Sequence, residues 1–276
     1  MTTAGNDRLG IGMLSVFGLP PVELVNLAAD LGCRFVSAAL QGMPLVPLGY
    51  PRFSLTDDAG LRQAVLAAME ERGVRISLGD GFLVLPGADV RALRGDLDVL
   101  AELGVPRINV VSLDPDVPRS FDQFAALTDL AAQLGIQTLV EPVPGLTVGD
   151  LPTALAAVEH VARPDFRLLI DTMHVVRSGS SAADLAAIDP ARIGYAQLND
   201  TTLRPRTENY MEEAMFERMV PGEGELPLRG ILSVLPSDIV IELEVPRRQL
   251  ALAGVSPIDR MRPCVEAARR LLSEIG

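Results

Sequence analysis

The sequence predicts an α/β protein, a closed (β/α)8 TIM barrel built from residues 1–276 as a single domain, and three observations predict it. Four helical patterns end on glycines, at Gly32, Gly73, Gly104 and Gly135, and each passes directly into an apolar run: RFVSAAL, VRISLGD, VPRINVVSL and IQTLVEP. Glycine suits the left-handed residue that ends a helix, and an unbroken apolar run suits a strand buried on both faces. The units recur at roughly 30 to 40 residues, the length that one strand plus one helix requires. Continuing the period places strands near 137–141, 167–171, 193–197 and 239–244. Right-handed crossovers repeated through eight such units return the last strand to the first. At 276 residues and 48% hydrophobic content, the chain can bury a core of this size. An open doubly wound sheet is the alternative; it usually carries a glycine-rich phosphate loop after its first strand, and GIGMLSVFG does not supply GxGxxG.

Taken in order, strand one is LGIGMLSVF, and a helix follows from about Pro21 to Leu31, with Pro20 and Pro21 suited to its start. Two long segments interrupt the repeat. Gln41 to Asp57 follows strand two, and Asn199 to Leu228 follows strand seven. Loops longer than about 12 to 15 residues are uncommon unless functional, so both are expected at the barrel mouth, where they could cover it. PGEG, from Pro221 to Gly224, reads as a turn entering the last helix with Glu223 exposed. That final helix, from about Pro257 to Ile275, has an arginine-rich solvent face and an apolar stripe, which is a structural pattern.

Composition excludes several chemistries. The chain has no lysine; all 24 basic residues are arginine. Schiff-base aldolase, pyridoxal phosphate and P-loop mechanisms all need a lysine amine, so none is available. Two histidines, His160 and His174, are too few for a multi-histidine metal cluster. His160 falls on a helical pattern at the surface and receives no role. Cys33 and Cys264 show no paired spacing and read as reduced packing residues. A net charge of -12 argues against nucleic acid as a partner, and no apolar run of membrane-spanning length is present. The N-terminus lacks a basic region followed by an apolar one, so a cytoplasmic location is expected.

The residues that carry chemistry stand at the ends of apolar runs. RLLIDTMH closes on Asp171, with His174 three residues later; QTLV closes on Glu141; IGYA closes on Gln197; and DIVIELE contains Glu242 and Glu244. Strand C-termini of a parallel barrel share one face, so side chains distant in sequence converge there. Glu242 and Glu244 have the same parity and can both point inward; Glu244, nearer the mouth, is favoured as the ligand. Glu141, Asp171, Gln197 and Glu244 supply four oxygens, a donor set that suits a hard divalent cation. Plainer roles stand beside these: Asp171 and His174 as a buried hydrogen-bonded pair, and Glu141 as a cap.

The order of these motifs, Glu at strand five, DxxH at strand six, QLND at strand seven, then PGEGELPL and LEVP, resembles the xylose isomerase-like TIM-barrel superfamily of sugar phosphate isomerases and epimerases. The resemblance implies Mn2+ or Mg2+ held by Glu141, Asp171, Gln197 and Glu244. It makes Glu141 and Glu244 the catalytic acid/base pair on opposite sides of the substrate, and His174 a substrate-binding residue. Gln197 departs from the histidine common in isomerases and is similar to the glutamine of 3-dehydroshikimate dehydratases. Arg204, Arg206 and Arg247 are candidates to clamp a substrate carboxylate or phosphate, as is Arg248. The expected function is a metal-dependent isomerase or epimerase acting on a small polyhydroxylated carbonyl compound, a sugar or sugar phosphate. The alternatives are a lyase of the 3-dehydroshikimate or inosose dehydratase type, and a non-catalytic sugar-binding barrel. The expected partner is a small carbohydrate-like substrate, with a homo-oligomer left open.

Overall fold

Parallel strands joined by helical crossovers can stack only in one hand, and that constraint is visible in the strand order. The computed structural model describes residues 8–42 and 46–275. Its strands are β1 (Leu9–Ile11), β2 (Phe35–Ala39), β3 (Arg75–Val84), β4 (Arg107–Ser112), β5 (Gln137–Val140), β6 (Phe166–Asp171), β7 (Ile193–Leu198) and β8 (Ile241–Leu243). They pair in parallel in sequence order, and Leu9, Gly10 and Ile11 pair with Ile241, Glu242 and Leu243 to close the barrel. The helices are α1 (Pro21–Asp30), α2 (Ala59–Arg72), α3 (Arg94–Glu102), α4 (Val117–Ala132), α5 (Leu151–Val161), α6 (Thr172–Arg177), α7 (Ala182–Ala186), α8 (Tyr210–Phe216), α9 (Leu228–Val234), α10 (Arg248–Leu252) and α11 (Pro257–Ile275).

Local chemistry sets the helix ends. Asp58, Asp116 and Asp150 cap α2, α4 and α5 by accepting the backbone N–H groups of Leu61, Arg119 and Thr153. Gly32, Gly73, Gly104 and Gly135 are all left-handed, with φ of 69°, 65°, 70° and 73°. The expected glycine stops are therefore the observed ones.

Alternation along each strand divides the barrel interior into layers. Leu78, Leu139, Leu169, Tyr195 and Val240 form a buried cluster separate from the main core between helices and sheet. Two residues further along the same strands come Asp80, Glu141, Asp171, Gln197 and Glu242. One step of the pleat toward the C-terminal mouth thus turns an apolar plug into a polar floor. Register aligns three of these directly, Asp171 with Gln197 and Gln197 with Glu242.

The structure revises several expected boundaries. β1 ends at Ile11, and Met13–Val16 forms a 3-10 turn. A Cβ on Gly12, just past the strand, would lie 2.6 Å from Glu242 Oε1 and 3.2 Å from the Leu243 carbonyl oxygen, so glycine lets the chain pass close to both. The turn at Pro221–Gly224 leads into α9, before β8, rather than into the last helix, and Glu223 is exposed. The segment after β7 contains α8, and residues 43–45 of the segment after β2 lie outside the described residues. Among the described residues no helix is long and apolar enough to cross a membrane.

Candidate active site at the barrel mouth

A pocket of about 470 Å3 opens over the polar floor. Glu141 stands one residue beyond β5, its carboxylate accepting a 2.7 Å hydrogen bond from Asn109 Nδ2 and lying 3.4 Å from His174 Nε2. Asp171 ends β6 and caps α6: Oδ1 accepts the His174 backbone N–H at 2.9 Å, and Oδ2 accepts Asn199 Nδ2 at 2.7 Å. The strand end, the helix start and the histidine three residues later are therefore one local motif. His174 Nδ1 is hydrogen-bonded to the Tyr210 hydroxyl at 2.5 Å. Gln197 donates its amide Nε2 to Glu244 Oε1 at 3.0 Å and to Glu242 Oε1 at 3.2 Å. Glu242 also accepts the Tyr195 hydroxyl at 2.9 Å, and that hydroxyl lies 2.8 Å from Ser77 Oγ. Both strand-eight glutamates point inward, as parity requires, with Glu242 a layer deeper than Glu244.

The site holds an excess of buried acid. Glu141, Asp171, Glu242 and Glu244 are buried and Asp80 is half-buried, and the one guanidinium paired with any of them among the described residues is that of Arg218, which is 4% exposed. Arg218 lies between two of them, 2.5 Å from Asp171 Oδ2 and 2.9 Å from Glu244 Oε2, while its Nε donates to the Ala214 carbonyl at 2.7 Å. Burial pushes the Glu141 carboxyl well above its ordinary value, and the charges of Glu244 and Asp171 add to the rise. Burial also raises Glu244 to about 8, against the pull of Arg218, with Asp171 and Asp80 adding to the rise. Glu242 is pushed well up by burial and by Asp80 and Glu244. Burial takes Asp80 to about 6, opposed by hydrogen bonds from Ser37 and Asn109. For Asp171 burial is outweighed by Arg218 and His174, and its carboxyl stays below the ordinary value. Burial lowers His174 to about 4, so its ring is neutral near pH 7.

These residues fit a divalent cation. Ligating atoms of Glu141, Asp171 and His174 lie within 4.8 Å of one another. The amide oxygen of Gln197 is buried without a partner, because its nitrogen is engaged by two carboxylates. An unpartnered buried oxygen beside several mutually repelling carboxyls is an arrangement that a cation relieves. Three of the expected ligands, Glu141, Asp171 and Gln197, share the layer that Glu242 completes on β8, and Glu244, the fourth, stands one step of the pleat nearer the mouth.

Other expectations are placed elsewhere. Arg204, Arg206 and Arg247 do not line the pocket. Arg204 is exposed; Arg206 is held by Glu213, 3.2 Å away; Arg247 donates to the Arg260 carbonyl at 3.4 Å. Arg248 pairs with Glu212 and lies over the Phe216 ring. The pocket's cation is instead Arg218, which sequence reasoning missed because nothing periodic marks it. Asp80 and Asn109 were also missed. The signal was available for Asp80, which ends the run ISLGD just as Asp171 ends RLLID. His160 sits at the end of α5 against Asp122, away from the pocket. Cys33 and Cys264 are buried thiols that burial raises to about 11 and about 12, consistent with packing.

Residues 25–272 match the family model described as the xylose isomerase-like TIM barrel. The inosose isomerase of Halalkalibacterium halodurans is 25% identical over 156 residues, which cover 53% of this chain and 54% of that protein. The chain thus spans about half the length of this curated relative. Among solved structures, the IolI protein with a bound zinc atom gives a TM-score of 0.78 at 18% identity, over 98% of this chain and 99% of that one. The probable 3-DHS dehydratase AsbF of Bacillus anthracis gives 0.73 at 14% identity, over 94% and 98%. At these identities the two structures speak for the fold.

Proposed function

The chain belongs to the xylose isomerase-like TIM-barrel family, and from that premise we propose that it is a divalent-metal-dependent isomerase or epimerase of a small hydroxylated carbonyl compound. The observation that carries the reading is the cluster of Glu141, Asp171 and His174 ligating atoms together with the buried, unpartnered amide oxygen of Gln197, which pairs in register with Asp171. Glu141, Asp171, Gln197 and Glu244 would hold the cation, Mn2+ or Mg2+, with His174 beside Glu141 and Asp171. A bound cation supplies electrostatic stabilisation for the negative charge that develops on a substrate carbonyl oxygen when the neighbouring carbon loses its proton.

The chain's own residues do the rest. Glu141, beyond β5, and Glu244, beyond β8, both line the pocket, so one carboxylate can take the proton from the carbon beside the carbonyl while the other returns a proton. Both carboxyls are raised by burial, which moves them toward the pH at which a group can both accept and release a proton. Asn109 fixes the Glu141 carboxylate, and Arg218 fixes Glu244. His174, neutral and bonded to Tyr210, presents Nε2 toward the pocket as a contact for a substrate oxygen. The inosose isomerase of H. halodurans supports an isomerase of this general kind.

A second reading, a lyase that expels a β-hydroxyl as water after the same proton abstraction, is favoured by one residue, Gln197. NMR in heavy water separates the two. The Mg2+-loaded protein, given hydroxyacetone and its longer homologues, ketoses, inososes and 3-dehydroshikimate, is expected to place deuterium beside the carbonyl of at least one of them with all its hydroxyls retained, and Glu141→Gln is expected to abolish that exchange. New olefinic signals with loss of a hydroxyl would select the lyase. Exchange that persists in Glu141→Gln would remove the acid/base assignment.

A further inference from the structure

The pocket is chemically two-sided. Its titratable side chains, Asp80, Glu141, His174, Arg218 and Glu244, belong to the floor, where His174 lies beside Glu141 and Arg218 pairs with Glu244. The walls have a different character. Phe82 and Leu83 of β3 and Val111 of β4 line one part of the pocket, Met211 and Met215 of α8 another, and Leu146 lines it too. Besides Asn109, which bonds Glu141, Gln41 is the one uncharged polar amide among the described lining residues.

The apolar wall also continues past the mouth. Leu83, Leu85, Leu113 and Val117 are 38%, 41%, 44% and 37% exposed, four of the six large apolar side chains exposed among the described residues. Leu83 pairs in register with Val111, and the Leu113 N–H donates to the Val84 carbonyl at 2.9 Å, so Leu83, Leu85 and Leu113 sit on adjoining strand ends. They form a ledge leading outward from the pocket wall.

A polyol does not suit such a wall. Each hydroxyl pressed against it would give up its bonds to water without a replacement, a loss of about tenfold in affinity per group. Each methylene in the same place is favourable. We infer that the substrate is an amphipathic hydroxycarbonyl compound: one polar edge, carrying the carbonyl and its adjacent hydroxyl, meets the floor, and the rest of the molecule is uncharged and apolar. The assignment of the polar edge rests on the metal-dependent reading above. The apolar body rests on the walls alone.

Isothermal titration calorimetry with a homologous series tests this. The probes are hydroxyacetone and its homologues lengthened by one, two and three methylenes, with D-fructose as the polyol of matching carbon count. With Mg2+-loaded wild-type protein, affinity is expected to tighten about fourfold per methylene, and fructose to bind no better than hydroxyacetone. Leu83→Asn, a partly exposed wall position outside the ligand set, is expected to lower the gain per methylene, measured against hydroxyacetone in the same variant. A flat wild-type series, or fructose binding more tightly than the longest homologue, overturns the inference. Titrating Mg2+ and Mn2+ alone, and repeating the series without metal, separates the two readings. Absence of metal binding defeats the proposed function, yet the methylene slope is still expected, because no wall residue belongs to the metal set.

Discussion

Gln197 shows how a neutral side chain can be made to present one particular atom. Its amide has a donor end and an acceptor end of nearly equal size, and the two carboxylates of Glu242 and Glu244 accept from the same nitrogen. The oxygen is thereby left buried without a partner, free to serve as a ligand. Glu242 is itself held by the Tyr195 hydroxyl from below. Replacing Glu242 by leucine removes one of the two acceptors, and Mn2+ affinity measured by calorimetry is expected to fall about tenfold or more, as for other residues that orient a ligand. Tyr195→Phe leaves both acceptors in place and is expected to change affinity far less. Equal losses in the two variants would mean that the layer as a whole, and not the amide's orientation, sets affinity. The legible site residues share one property: Glu141, Asp171, Gln197 and Glu244 each sit where an apolar run stops. Arg218 was not legible because it lies in an irregular segment, 4% exposed only through tertiary contact. Nearness to QLND suggested Arg204 and Arg206 instead, but Glu213 holds Arg206 away from the pocket.

At the scale of elements, the segment between β7 and β8 delivers most of the site's cover. α8 contributes Met211 and Met215 to the wall and Tyr210 to His174, and the chain just beyond it contributes Arg218. One side chain organises its return. Asp200 accepts the backbone N–H groups of Thr201, Gly222, Gly224 and Leu226 at 2.8, 2.8, 3.0 and 3.1 Å, and it is 1% exposed. Bonds to a buried carboxylate are stronger than neutral ones. Asp200→Ala is therefore expected to cost about 2–3 kcal/mol in urea denaturation, and to open residues 201–226 to limited proteolysis while the rest of the barrel resists. A stability within about 0.5 kcal/mol of wild type would show that the turn does not depend on this carboxylate. The D of QLND and the glycines of PGEG are thus two halves of one structure. Sequence reading found both motifs but not their connection, because it exists only after the chain folds back. The βα repeat was easier to read, since its glycine stops act within a few residues of the apolar runs that follow them.

For the whole molecule, barrel closure gathers carboxyls from several strands into one buried floor, and this couples stability to pH. The eight units were legible because each repeats the same local pattern; the electrostatic consequence was not, because it depends on which side chains closure brings face to face. Asp80, raised to about 6, Glu244, raised to about 8, and Glu141 and Glu242, raised well above 4.5, all hold protons more tightly folded than unfolded. The stability they contribute is fully present below their unfolded values, 3.8 for Asp80 and 4.5 for the glutamates, and is lost as pH rises through the folded ones. His174 acts in the other direction: its folded value of about 4 lies below its ordinary 6.5, so it destabilises the fold as pH falls between those limits. Four raised carboxyls outweigh one lowered imidazole below pH 6.5, and above it the carboxyls act alone. The thermal midpoint of the metal-free protein is therefore expected to fall steadily from pH 5.5 to pH 8. A divalent cation competes with those same protons, so saturating Mn2+ is expected to raise the midpoint more at pH 8 than at pH 5.5. Thermal melts across this range, with and without Mn2+, check both slopes. A metal-free midpoint that rises with pH would mean that the floor carries its charges without protons, and that Arg218 alone neutralises it.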